Sequence, residues 1–202
     1  MNKRAGIGSR QTRMICTEFT TREDGGDPTI EGYFAVFNSN YEIGYGMSES
    51  IAPGAFSEAL GGDVRALVNH DTTLVLGRNK AGTLDLKEDS HGLWGKVRIN
   101  PNDSDGMNLY ERVKRGDVDG CSIGFDIAEE ETEFLDNGDV HFTIKKVMPL
   151  WEVSACTFPA YEETNVSARS AQVEEIKKRE SEAWRASMKA RLTNGTQSTD
   201  EA

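Results

Sequence analysis

Leu150-Trp151-Glu152-Val153-Ser154-Ala155-Cys156-Thr157-Phe158 is a mostly apolar run stopped by Pro159, and it holds one carboxylate that an ordinary core strand would not need. An ionised carboxylate inside such a strand is costly unless it is paired. Two readings fit Glu152: an acid on an edge strand pointing to water, or a buried acid that pairs with an imidazole and sets its tautomer. Working outward, further runs of strand character are Met14 to Phe19, Ile30 to Phe37, Val64 to Asn69, Leu74 to Gly77, Thr83 to Lys87, Gly92 to Ile99, Cys121 to Ala128 and Val140 to Val147. Asp136-Asn137-Gly138 reads as the turn of an acidic hairpin.

Helical signals are few. Ile51 to Leu60 reads as a turn entering a short helix closed by Gly61-Gly62. Met107, Tyr110 and Val113 recur at helical spacing between an N-cap in the loop Asn100 to Asp105 and Gly116, which predicts a helix over 106–115. Asn38 to Glu49 reads as a polar loop. Many short strands with two or three helices predict an α+β fold that is mostly β, a barrel decorated by short helices.

The chain has 202 residues, enough for one domain plus tails, with 37% hydrophobic residues and a net charge of −11. The charge is uneven. Residues 1–13 carry Lys3, Arg4, Arg10 and Arg13 and no acid, whereas residues 14–168 hold twelve basic against twenty-eight acidic residues. Such a globule is a poor phosphate binder, which argues against nucleic acid as a partner. The expected organisation is a basic arm over 1–13, a globular domain over 14–168, and a charged helical or disordered tail over 169–202, where Val173, Ile176, Trp184 and Met188 form a marginal amphipathic stripe. Cys16, Cys121 and Cys156 are an odd set with no CxxC spacing, so neither a disulfide framework nor a zinc site is expected and a reducing compartment fits best. No apolar stretch approaches the roughly 18 residues of a membrane span.

Two other short words bear on chemistry. Val68-Asn69-His70-Asp71 puts an imidazole at a strand end. His70 is either a satisfied structural histidine or a base. His91 lies in a turn and His141 in an outer hairpin, neither with an obvious polar partner, so His70 is the best base candidate. Gly120-Cys121-Ser122-Ile123-Gly124-Phe125 places a hydroxyl between two glycines that permit close approach of a substrate backbone. Ser122 is either a buried strand hydroxyl or a nucleophile, and it lacks the strand-to-helix context of the nucleophile elbow. Cys121 is the rival nucleophile. Side chains alternate along a strand, so if Ser122 faces a site, Cys121 faces the core. A serine hydroxyl needs an adjacent base, and the base an orienting acceptor.

These words, in their order, resemble the phage prohead (capsid maturation) proteases of the HK97 type, which are similar in fold to the herpesvirus assemblins. The resemblance rests on Gly32-Tyr33-Phe34-Ala35-Val36-Phe37, Ile51-Ala52-Pro53-Gly54-Ala55-Phe56, Val68-Asn69-His70-Asp71, Leu76-Gly77-Arg78, Asp119-Gly120-Cys121-Ser122-Ile123-Gly124-Phe125 and Trp151-Glu152-Val153-Ser154 with Phe158-Pro159-Ala160. It spans about residues 30–165.

The resemblance implies an assemblin-like barrel and a serine endopeptidase with His70 as base, Ser122 as nucleophile and Glu152 as third member, needing neither metal nor cofactor. Oxyanion donors would come from backbone amides near Ala160 and Tyr161. The implied substrate is the scaffolding segment of the major capsid protein, together with the enzyme's own ends. The implied setting is the immature prohead in the host cytoplasm, without nucleic acid or membrane as partner, and a homodimer is plausible on the same ground. Three other expectations stand beside it: an inactive barrel that only binds scaffold, a hydrolase of esters or amides, and catalysis through Cys121.

Overall fold

The sheet that carries the candidate residues is organised around one long hairpin. In the computed structural model, which describes residues 11–16, 19–24, 27–44, 46–158, 173–179 and 181–189, strands β10 (Gly120–Phe134) and β11 (Val140–Cys156) pair antiparallel along most of their length. The turn between them closes locally. Gly138 takes a φ of 88° that only glycine adopts freely, its N–H donates to the Leu135 carbonyl at 2.9 Å, and the N–H of Leu135 donates to the Asp139 carbonyl at 2.9 Å.

The outer edge of β10 is covered over Gly120 to Phe125 by β1 (Gln11–Cys16), with Met14 opposite Ser122. The other edge of β11 takes two parallel partners in succession. Val140 to Ile144 pair with β5 (Met47–Ile51), and Glu152 to Ala155 pair with β6 (Arg65–Val68). β4 (Tyr41–Gly44) continues the sheet beyond β5, and β7 (Asp71–Arg78) pairs with β6, which makes seven strands. A second, antiparallel sheet has the order β2 (Thr20–Asp24), β3 (Asp27–Val36), β9 (Gly92–Arg98), β8 (Leu84–Glu88). The described strands therefore lie in two sheets rather than in one closed barrel, and the class is mostly β with some helix.

One apolar cluster joins both sheets and α1 (Ser104–Arg115), drawing in Phe34, Leu93, Val97, Leu109, Ile123 and Val153. Full burial of side chains of this size stabilises by about 1.5–3 kcal/mol each. Gly116 closes the helix as the sequence predicts, with a φ of 83°, whereas the helix begins two residues earlier than expected, at Ser104, where Asp103 is the cap and accepts from the Asp105 N–H at 3.1 Å.

Three local expectations change. Strands β4 and β5 occupy the stretch read as a polar loop. Glu49 and Ser50 of β5 are buried, and partners remote in sequence receive them: Arg13 for the carboxylate and His141 for the hydroxyl. The predicted short helix before Gly61 is only a 3-10 turn over Ala59–Gly61. The carboxylate of Glu88 accepts the N–H groups of Gly54 and Phe56 and holds the chain there as a turn. Strand β1 begins at Gln11, inside the stretch read as the basic arm, and Arg13 is buried. Residues 162–202 form a separate unit, with helical backbone at 173–179 and 181–189 and Trp184 63% exposed. Among the described residues, no helix is long and apolar enough to cross a membrane.

Candidate active site

Residues directly opposite on an antiparallel pair share a face, as do residues two apart on one strand. Ser122 stands opposite Ser154, and Gly124 opposite Glu152. Ser122, Glu152 and Ser154 therefore project from one face of the sheet, where all three are buried. Cys121, Ile123, Val153 and Ala155 project from the other, into the apolar cluster. Cys121 is fully buried there and its thiol donates to the Tyr33 carbonyl at 3.0 Å. The expected opposition of Cys121 and Ser122 follows from the strand period.

The third strand brings the imidazole. β6 and β7 are joined by a two-residue turn, Asn69-His70, with φ values of 49° and 62°. Positive φ at both central residues is the mark of a type I′ turn, the connection that matches strand twist in a tight hairpin. Asn tolerates this region well and His is several-fold enriched in it. Parallel pairing of Val68 with Ala155 carries the turn to the end of β11. There the Asn69 N–H donates to the Ala155 carbonyl at 2.9 Å, and Asn69 Oδ1 accepts from the Thr157 N–H at 2.9 Å.

So placed, His70 Nδ1 lies 2.7 Å from Glu152 Oε1. Glu152 is 1% exposed, which selects the paired reading of this acid over the edge-strand reading. An ionised carboxylate only accepts, so the bond is an Nδ1–H donation, and in the neutral imidazole this leaves Nε2 with its lone pair. The other carboxylate oxygen accepts from the Ser154 hydroxyl at 2.5 Å, and that hydroxyl accepts from the His70 backbone N–H at 3.2 Å.

Two atoms at this site are buried and have no hydrogen-bond partner among the described residues: His70 Nε2 and Ser122 Oγ. Buried polar atoms are nearly always paired; here the two unpaired atoms are chemically complementary, a hydroxyl that can donate and a ring nitrogen that can accept. Ser122 and His70 are not hydrogen-bonded to each other.

The remaining candidates fall elsewhere. Asp71 turns away, its carboxyl held below the ordinary carboxylate range by the hydroxyl and N–H of Thr73. His91 packs edge-on against the Tyr33 ring. His141 does have polar partners, contrary to expectation, since its two ring nitrogens lie 2.8 and 2.9 Å from the hydroxyls of Ser48 and Ser50. Ala160 and Tyr161, the expected region of oxyanion donors, lie outside the described residues. Among the described residues, no group of three or more His, Cys, Asp or Glu is arranged to hold a metal ion. Sequence reasoning did not single out Asn69 or Ser154. Both left signals: Asn at a two-residue turn, and a hydroxyl two positions beyond the acid on the same strand.

Comparison with known proteins gives the class. The profile described as caudovirus prohead serine protease matches residues 17–179, and the chain belongs to that family. Among its relatives, the prohead protease of Enterobacteria phage HK97 is 33% identical over 156 residues, covering 75% of this chain and 64% of the relative. The chain thus spans somewhat less than two thirds of that relative's length. A solved structure, the bacteriophage T4 capsid assembly protease, aligns with 72% of this chain and 98% of its own at 12% identity and a TM-score of 0.43, too distant a likeness to carry any residue across.

Proposed function

We propose that this protein is a serine endopeptidase of phage head maturation in which Ser122 is the nucleophile, His70 the general base and Glu152 the orienting acid. The observation that carries the reading is the 2.7 Å Nδ1–carboxylate contact, together with the unpartnered Nε2 and Ser122 Oγ on the same side of the sheet. In the proposed chemistry, Nε2 takes the Ser122 proton as Oγ attacks a peptide carbonyl, and the tetrahedral intermediate forms. The imidazolium, stabilised by Glu152, then protonates the leaving amine. The same base activates water, and deacylation returns the free hydroxyl.

Family membership supports a capsid-related substrate. The proposed targets are the scaffolding segment of the major capsid protein and the enzyme's own ends, cut inside the immature prohead in the host cytoplasm. A homodimer, the assemblin-like relation of the fold, and a division into basic arm, protease domain and charged tail, with the domain beginning no later than β1 at Gln11, belong to the same proposal. The test is intact mass over time for wild type and Ser122→Ala, alone and co-expressed with the capsid protein. Shortening or capsid cleavage by wild type only is the expected result. Equal cleavage by both would remove Ser122 from the role.

A further inference from the structure

We propose that Ser154 is a positioning residue of this site, one hydroxyl that fixes both the main chain carrying the base and the carboxylate that orients it; this rests on the triad reading above. Ser154 is fully buried, between the two groups it touches. Its O–H donates to Glu152 Oε2 at 2.5 Å, and its lone pair accepts the His70 N–H at 3.2 Å.

Each bond answers a specific geometric need. The terminal torsion of a glutamate is soft and roughly two-fold, so a carboxylate held at one oxygen alone samples a broad range. A donor on Oε2 sets the plane in which Oε1 meets Nδ1. On the other side, His70 is the second residue of a two-residue turn with φ of 62°, a conformation that strains an L-residue and persists only when its surroundings hold it. The β6–β7 ladder pairs Val68 with Asp71 and leaves the His70 N–H to another acceptor, which Ser154 supplies. The register makes this possible: Ser154 stands beside Leu67 of β6 in parallel pairing and opposite Ser122 of β10, so it is central to all three contributing strands. Ser154 thus bridges two members of the proposed machinery.

The test compares Ser154→Ala, Ser154→Thr and Ser154→Val in the full chain, with Ser122→Ala as control. The probe is a fluorophosphonate, which loses fluoride on phosphonylating an activated serine, followed by intact mass to give the maximal labelling rate and the half-saturating concentration. Hydrogen bonds to charged groups are worth enough that Ala and Val should label about 10- to 100-fold more slowly at saturation, with the half-saturating concentration within about twofold of wild type. Thr and Val have nearly equal volume, so Thr labelling well above Val isolates the hydroxyl even if Ala is too unstable to assay. A second readout is the far-downfield proton resonance of the His70 Nδ1–H···Glu152 bond, expected in wild type and Ser154→Thr and lost or displaced in Ala and Val. Being read in unlabelled protein, it decides the matter even if the probe does not reach the site. Equal labelling of Thr and Val, or an unchanged downfield proton in Val, overturns the proposal. Labelling of Ser122→Ala at the wild-type rate instead overturns the triad reading on which it rests.

Discussion

Asn69 accepts a hydrogen bond from the Thr157 N–H at 2.9 Å, so the turn that carries His70 is tied to the chain just beyond the strand that carries Glu152. The two candidate residues are 82 positions apart in sequence, and this link, with the Asn69 N–H on the Ala155 carbonyl, fixes their approach. Asn69→Ala removes the side-chain bond and puts a Cβ-bearing residue with no compensating polarity at positive φ. The expected loss is about 2–3 kcal/mol from the two effects together. Asn69→Gly relieves the backbone and should recover part of that stability without recovering the rate. Thermal unfolding and serine labelling, measured side by side, check this; equal recovery of both would mean that Asn69 acts through the backbone alone.

Glu152→Gln keeps the shape of the acid and removes its charge. An amide can present its NH₂ to the imidazole and so favour the wrong tautomer, leaving Nε2 protonated. A rate loss on the order of 10³–10⁴-fold is expected, with the fold retained. Turnover of a peptide substrate, or labelling of Ser122, measures it. Full activity in this variant would take Glu152 out of the mechanism.

Cys121 lies on the core face of β10, fully buried, with its thiol on the Tyr33 carbonyl. Cys121→Ala should therefore keep most of the activity and lose about 1 kcal/mol of stability from one weak bond and a small void. Activity that disappears while the circular dichroism spectrum and melting point hold would point back to a thiol nucleophile.

The buried pair of Arg13 and Glu49 joins β1 to β5, with side chains 8% and 0% exposed. Removing one partner of such a pair strands a charge, at a cost of about 3–5 kcal/mol, whereas replacing both by apolar groups of similar size can be close to neutral. Arg13→Met should be strongly destabilising in urea titration, and Arg13→Met with Glu49→Leu clearly less so. Because β1 flanks the strand of Ser122, activity should follow the same order. A double variant less stable than Arg13→Met would contradict the account.

Alkaline stability has a defined source. Burial, and next the negative charge of Glu152, push the Cys156 thiol up from 9.0 to about 12. Burial likewise pushes the Tyr41 hydroxyl up from 10.0 to about 12. Both groups are neutral acids held more tightly protonated in the fold than in the open chain, so their contribution is complete below about pH 9 and is lost as pH rises through 12. Tyr41→Phe should flatten the decline in unfolding free energy between pH 10 and 12 relative to wild type. Parallel curves for the two proteins would show that Tyr41 does not contribute.

What the sequence made legible was local. The helix between Asp103 and Gly116 and the turn at Asp136-Asn137-Gly138 are written in their own capping and turn residues; the turn and the helix's C-terminal end form where expected, and its first turn starts two residues early. Strand β5 was not legible because Met47-Ser48-Glu49-Ser50-Ile51 looks polar until Arg13 and His141 are brought to it from 36 and 91 positions away. The candidate site divides in the same way. The opposition of Cys121 and Ser122 follows from the strand period alone. That Glu152 is buried beside His70 depends on a parallel pairing of β6 with β11 that no local pattern announces. Residues Asn69 and Ser154 were missed because their work is to join strands whose register was not yet known.

That parallel pairing also bears on when the protein can first act. Ser122 and Glu152 come together through a hairpin, a contact that forms early because little chain must be closed. With that hairpin paired, His70 joins them by closing the 52 residues that separate it from Ser122, which costs more entropy and comes later. A refolding chain would thus hold Ser122 and Glu152 on paired strands before His70 joins them. Pulse-labelled hydrogen exchange during refolding, with protection of β10 and β11 preceding that of β6, would reveal this order.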